Sequence, residues 1–215
     1  ICSVAASREE EIMFYRESDD SRSHHQLLPL MIQMALKTLD ELPDAVHLYE
    51  GPGSYTGLRI GFSIVKGLCL GGGIPLICSN AGELHFEQFL MSGLSVDHCL
   101  SVFHARKNEV YAQLFERSLG AKWEGMKSIF LGDKVSESGL TAENMTDVAI
   151  VGNAAQMFLE DFPELEVVWP VELNAWNMIG LGVKKWRNGD LSDLKNAKPL
   201  YLKPPHINKR KKNLL

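Results

Sequence analysis

Cysteine is scarce in this chain and offers no close pair: Cys2, Cys69, Cys78 and Cys99 are scattered. That scatter excludes a zinc-ribbon spacing and gives no disulfide framework. The four residues fit small apolar side chains in a reducing compartment, which points to the cytoplasm. Long apolar runs are missing as well. The longest, around Leu68 to Ile77, is broken by Gly71-Gly72-Gly73 and Pro75, whereas about 20 apolar residues are needed to span a bilayer. Ile1 is followed by neither a charged n-region nor an apolar h-region, so no secretory signal is expected. A basic excess is absent too: 22 Lys and Arg against 27 Asp and Glu give a net charge of -5. This argues against a surface that wraps nucleic acid as a whole. The one basic run, Lys209-Arg210-Lys211-Lys212 after Pro204-Pro205, reads as a solvated end within reach of a phosphate.

Catalytic and metal-binding patterns are equally thin. His24 and His25 are adjacent, and neighbours on a helix point about 100° apart, whereas a shared ion needs ligands three or four residues apart. The positions that follow are Leu27, Leu28 and Pro29, so no H-x-x-x-H forms, and His47, His85, His98, His104 and His206 show no ligand spacing among themselves. Asp19-Asp20, Asp40-Glu41 and Glu9-Glu10-Glu11 read as solvated charge. No G-x-S-x-G elbow and no nucleophilic cysteine context is present. The residues therefore predict no catalytic group, no metal and no cofactor.

What the chain does have is material for a core: 45% hydrophobic and 23% charged residues over 215 positions, enough for one domain or two small lobes. Cys2 to Ala6 and Ile12 to Tyr15 flank turn-like Ser7-Arg8-Glu9-Glu10 and predict a hairpin. Leu27, Leu28, Met31, Met34, Ala35 and Leu39 recur at spacings of three and four. They predict a helix from Gln26 to Leu42 with a wide apolar face and with Pro29 in its first turn or at a kink. A strand from Ala45 to Glu50 should then run into Gly51-Pro52-Gly53-Ser54-Tyr55-Thr56-Gly57, followed by a helix over about Leu58 to Leu70 that ends at the triple glycine. Next come a buried strand from Ile74 to Cys78 and a helix to about Met91, opened by the capping-box pair Asn80 and Glu83. Cys99 to Ala105 and Glu109 to Glu116 predict a hairpin around Arg106-Lys107-Asn108. Weaker signals follow: strands at Val148 to Val151 and Val167 to Val168, a helix from Ala154 to Leu159, and a last helix through Trp186 capped by Asn174 and stopped by Gly189. This order predicts an α/β protein with a first lobe over 1–97 and a second over 98–215, the last helix and tail free to return to the first.

The Gly51 to Gly57 segment is the most informative stretch, because a glycine-rich turn opening a helix presents unpaired N–H groups. Gly51, Gly53, Ser54 and Thr56 are the candidate anion-binding loop. It is neither standard nucleotide fingerprint: the third glycine of G-x-G-x-x-G falls on Thr56, and no Lys follows as in a Walker A loop. The competing reading is a tight turn, with Gly57 and Gly61 letting another helix approach closely. The apolar helices flanking the turn offer a surface for a protein partner, with core packing as the alternative.

At Gly51 to Lys66 the run GPGSYTGLRIGFSIVK resembles the hallmark of the TsaB (YeaZ) family. Three weaker matches follow in family order. His24 with Leu27-Leu28-Pro29 is similar to H-S-x-x-L-L-P, Ala105-Arg106 with Glu109-Val110-Tyr111 to D-A-R-x-x-E-V-Y, and Pro199-Leu200-Tyr201-Leu202-Lys203-Pro204 to P-x-Y-L-R-P. The resemblance implies an actin-like fold of the sugar-kinase and heat-shock-chaperone superfamily. Its opening strand, of the I-L-x-I-x-T-S type, is expected to be missing ahead of Ile1. It also implies a non-catalytic role: docking the catalytic paralogue TsaD, with the ATPase subunit TsaE, for threonylcarbamoylation of adenosine 37 in transfer RNA. The first two helices make the contact, and the candidate residues are His24, Leu27, Leu28, Met31, Gly57, Arg59, Gly61 and Ile64. A homodimer through the same helices is compatible with this reading, and any transfer RNA contact would be indirect. His25 stands where the family usually has Ser, and His104 where it has Asp.

Two other functions compete. A self-sufficient actin-like ATPase or kinase would use the superfamily's nucleotide cleft, but no catalytic Asp is evident. A metallopeptidase, an activity once suggested for relatives of this fold, lacks both H-x-x-x-H and H-E-x-x-H.

Overall fold

A computed structural model describes residues 1–20, 24–106, 109–122, 125–130, 147–159, 166–168 and 173–203. The basic run at 209–212, His206 and the middle of the turn at 107–108 lie outside the described residues. The chain opens with the antiparallel hairpin β1 (Cys2–Arg8) and β2 (Glu11–Ser18), turning at Glu9 with φ 53°. Helix α1 (His24–Leu39) packs on both strands. It ends before Leu42, the last apolar position of the periodic run, because Asp40 takes a left-handed φ of 58°. Pro29 is the sixth residue of α1, beyond the first turn. Its missing N–H leaves the carbonyl four residues back without the usual helical donor.

Strands β3 (Val46–Gly51) and β4 (Leu76–Asn80) pair in parallel, joined by α2 (Tyr55–Gly72). Helix α2 begins three residues earlier than the apolar period suggests because Ser54 caps it. It also runs through Gly71 and Gly72, stopping only where Gly73 turns left-handed at φ 64° and its N–H donates to the Cys69 carbonyl. The two faces of this pair are used differently. Leu48, Leu76 and Cys78 pack with Phe62, Val65 and Cys69 of α2. His47, Tyr49 and Ser79, on the alternate register, face the other way. Among the described residues β1–β2 and β3–β4 are separate two-stranded sheets.

Helix α3 (Ala81–Met91) starts with the expected capping box. Asn80 Oδ1 accepts from the Glu83 N–H at 3.1 Å, and Glu83 Oε2 accepts from the Asn80 N–H at 3.0 Å. It leads to a six-stranded sheet of β5 (His98–Arg106), β6 (Glu109–Glu116), β7 (Gly120–Ala121), β8 (Lys127–Phe130), β9 (Val148–Val151) and β10 (Glu166–Val168). The order is β10-β9-β5-β6-β7 with β8 also on β6; β10, β9 and β5 run parallel, the rest antiparallel. Both faces are covered, which is why Val148 to Val151 reads as continuous apolar sequence. Leu100, Val102, Ile150 and Phe158 of α4 (Ala155–Leu159) form one core. Cys99, Phe115, Ala149 and Val151 form another with Phe89 of α3.

The final stretch, 173–203, returns to the first half. Asn174 caps a turn, accepting from the Asn177 N–H at 3.1 Å, and not the last helix. Helix α5 (Ile179–Arg187) instead begins after Met178, which makes no side-chain cap. Leu181 and Met178 pack on Leu84, and Lys185 Nζ donates to the Cys78 carbonyl at 3.0 Å and to Glu83 at 2.6 Å. Leu194 and Ala197 then join the core beneath α2.

Candidate docking face and glycine loop

The glycine loop is a self-closed turn. Gly51 is buried at φ 124°, the Gly51–Pro52 bond is cis, and the Tyr49 hydroxyl donates to the Pro52 carbonyl at 2.6 Å. Gly51 has to be glycine: a Cβ there would stand 3.2 Å from Leu58 Cδ1 and 3.1 Å from the Leu200 carbonyl oxygen. Ser54 Oγ accepts from the Gly57 N–H at 3.3 Å, so the side chain takes one donor that an anion would otherwise use. Gly53, Ser54 and Thr56 are exposed.

Of the eight candidate contact residues, His24 opens α1, and Leu27, Leu28, Gly57, Gly61 and Ile64 are half-buried. Met31 is buried with Ala35 and Leu39 and faces the protein's own interior. The exposed apolar side chains of α1 are Leu30 (55%) and Met34 (47%), on the turns between those inward positions. Helix α1 touches α2 directly. Gly61 has no second helix over it among the described residues. A Cβ there would meet Leu48 Cδ1 of β3 at 3.7 Å, so the Gly57/Gly61 spacing does not serve helix packing inside this chain. Arg59 is exposed yet engaged: its guanidinium lies 4.1 Å above the Tyr55 ring and its Nε donates to the Tyr201 hydroxyl at 3.0 Å.

Two histidines, His85 buried and His47 half-buried, escaped the sequence reading, for which no spacing or motif gave a signal. His47 Nδ1 lies 3.1 Å from the Met178 carbonyl and must donate to it, leaving Nε2 to accept from the Ser79 hydroxyl at 2.9 Å. Burial above all, with nearby Lys185 adding to it, lowers its pKa to about 4 despite that carbonyl. His85 of α3 pairs with Ser101 of β5 at 2.8 Å, and burial lowers it likewise to about 4. Its Nε2 and the Gln113 Oε1 are buried without a hydrogen-bond partner among the described residues. Glu50, at the end of β3, is held above the usual carboxylate range by burial first and then by the neighbouring Glu83 charge. Among the described residues no group of three or more His, Cys, Asp or Glu side chains is placed to hold a metal ion. No helix among them is long and apolar enough to cross a membrane.

Two α/β halves, linked through α3 and closed by a returning helix and tail, define a protein of the actin-like class. The family described as TsaD, tRNA N6-adenosine threonylcarbamoyltransferase, matches residues 18–128, a little over half of the chain. The tRNA threonylcarbamoyladenosine biosynthesis protein TsaB of Escherichia coli K12 is 24% identical over 94% of this chain and 90% of its own length. The TsaB protein of Buchnera aphidicola from Acyrthosiphon pisum is 27% identical over 58% of this chain and 57% of its own. A Pseudomonas aeruginosa crystal structure, titled as an uncharacterized protein with similarity to peptidase YEAZ, superimposes with a TM-score of 0.71 at 21% identity, covering 94% of both chains. The chain belongs to this family, in its TsaB (YeaZ) branch.

Proposed function

We propose that this protein serves tRNA threonylcarbamoyladenosine biosynthesis as a non-catalytic subunit that docks a TsaD-type catalytic paralogue through α1 and α2. The relatives named for that biosynthesis support the pathway, and the TsaD family match supports a related partner. The observation that carries the docking surface is the apolar outer side of α1, where Leu30 and Met34 are exposed while Met31, Ala35 and Leu39 already serve the interior. With Leu27, Leu28 and Ile64 half-buried beside them, the face presents apolar side chains that a partner helix would cover. In this reading the lobes divide near His98, TsaE joins the assembly, a homodimer through the same helices competes with the paralogue, and the work is cytoplasmic.

The test is the affinity for the TsaD paralogue of the same organism. Leu30→Glu with Met34→Glu places two charges on the face and should weaken binding by roughly 2 kcal/mol or more, beyond tenfold in Kd, with melting unchanged because both side chains are exposed in the free protein. Unchanged affinity would move the docking site elsewhere.

A further inference from the structure

We propose that residues 199–203 form a strap that fastens the six-stranded sheet to the N-terminal end of α2 and so fixes the angle between the two halves. One end is tied to α2 and its glycine loop. The Leu200 N–H donates to the Glu50 carbonyl at 2.7 Å, and the Leu200 backbone covers Gly51. The Tyr201 ring lies 4.8 Å from that of Tyr55, and its hydroxyl accepts from Arg59 at 3.0 Å. Just upstream, Lys66 of α2 donates to the Lys195 carbonyl at 3.2 Å and the Ala197 carbonyl at 2.9 Å, clipping the same segment along the helix.

Two residues beyond Tyr201 the segment changes sides. Lys203 forms an ion pair with Glu109, the first residue of β6, whose side chain is only 8% exposed and also accepts from the Ser128 hydroxyl of β8. A nearly buried carboxylate needs a cation and donors around it, so this anchor sits on the sheet with a definite geometry. Among the described residues the halves also meet where β4 passes into α3 at Asn80, where Leu84 of α3 packs with Tyr49, Met178 and Leu181, and where α5 pairs with α3 through Lys184–Glu87 and Lys185–Glu83. The strap is a further tie, carried by the exposed side chains of Tyr201 and Lys203. Bonds of that kind open without unpacking a core.

The full chain, isotopically labelled and weakly aligned, reports the angle directly through backbone residual dipolar couplings. In the wild type, amides of α2 with β3 and amides of β5 with β6 should fit one alignment tensor. Lys203→Met cuts the far anchor; each half should still fit its own structure, but the shared tensor should be lost, with a smaller magnitude for the sheet. Tyr201→Ala removes the ring and hydroxyl and leaves the Leu200 and Lys66 bonds at the near end, so it should loosen the shared tensor less. The double variant should look like Lys203→Met alone, since a strap cut at its far anchor is already open. A single shared tensor retained in both variants would overturn the proposal, as would a loss confined to Lys203→Met with its β5 and β6 couplings no longer fitting the sheet. That last pattern is local damage around Glu109. Tyr201→Ala, which removes a surface ring, keeps the question open to an answer if Lys203→Met folds poorly.

Discussion

His47 and His85 are neutral inside the protein and ordinary imidazoles once the chain unfolds, and that difference is readable as pH-dependent stability. Their folded pKa values, about 4, lie below the ordinary 6.5. Below pH 6.5 the unfolded state therefore binds protons that the folded state refuses. Their contribution is fully present above pH 6.5 and is lost as pH falls toward 4, by about 3 kcal/mol per imidazole at most. Denaturant midpoints measured from pH 8 down to 4.5 should begin to fall near pH 6.5, the ordinary imidazole value. A profile flat to pH 5 would show that neither ring is held below the ordinary imidazole value in the folded protein. The close packing supports the refusal: Gly182 of α5 lies against His47, where an added Cβ would come within 2.7 Å of Nδ1.

At the scale of elements, the ends of α2 follow local chemistry while its faces do not. Ser54 and Gly73 set where the helix begins and stops, as capping rules require. Gly61 is different, because its spacing from Gly57 suggests a helix contact and its surroundings show a strand. A Cβ at 61 meets Leu48 at ordinary van der Waals distance, and glycine inside a helix costs about 1 kcal/mol against alanine. Gly61→Ala should accordingly raise the melting temperature of the free protein slightly. If Gly61 lies in the proposed docking contact, the same change weakens partner binding while melting rises. A lowered melting point would mean that β3 and α2 sit closer than an alanine permits.

At the scale of the molecule, the decisive feature is that 173–203, which follow the second sheet in sequence, finish the first half. Lys185 is the pivot of that return: its side chain, 14% exposed, joins the Cys78 carbonyl in the middle of β4 to Glu83 at the start of α3. Lys185→Met keeps the length and removes the donor, leaving both acceptors short of a partner, at a cost of about 1–3 kcal/mol. Urea unfolding should show a lower midpoint with the same slope. An unchanged midpoint would show that Leu181 and Met178 dock α5 by apolar packing alone.

Local patterns along the sequence determined the hairpins, the capping box at Asn80 and the glycine loop, because each depends on residues close to one another along the chain. The family was legible for a similar reason, since Gly51 to Lys66 carries its hallmark in a single unbroken run. Tertiary structure alone decided which apolar residues of α1 are inside. Met31 and Met34 are chemically alike, and only the placement of β1 and β2 buries one and leaves the other to solvent. It also decided the start of α5, where Asn174 looked like the cap but caps a turn, and the pairings of His47, Arg59 and Lys203 with groups that are 131, 142 and 94 residues away along the chain. Side-chain identity states what a group can bond, but over such separations only the fold brings the partner within reach.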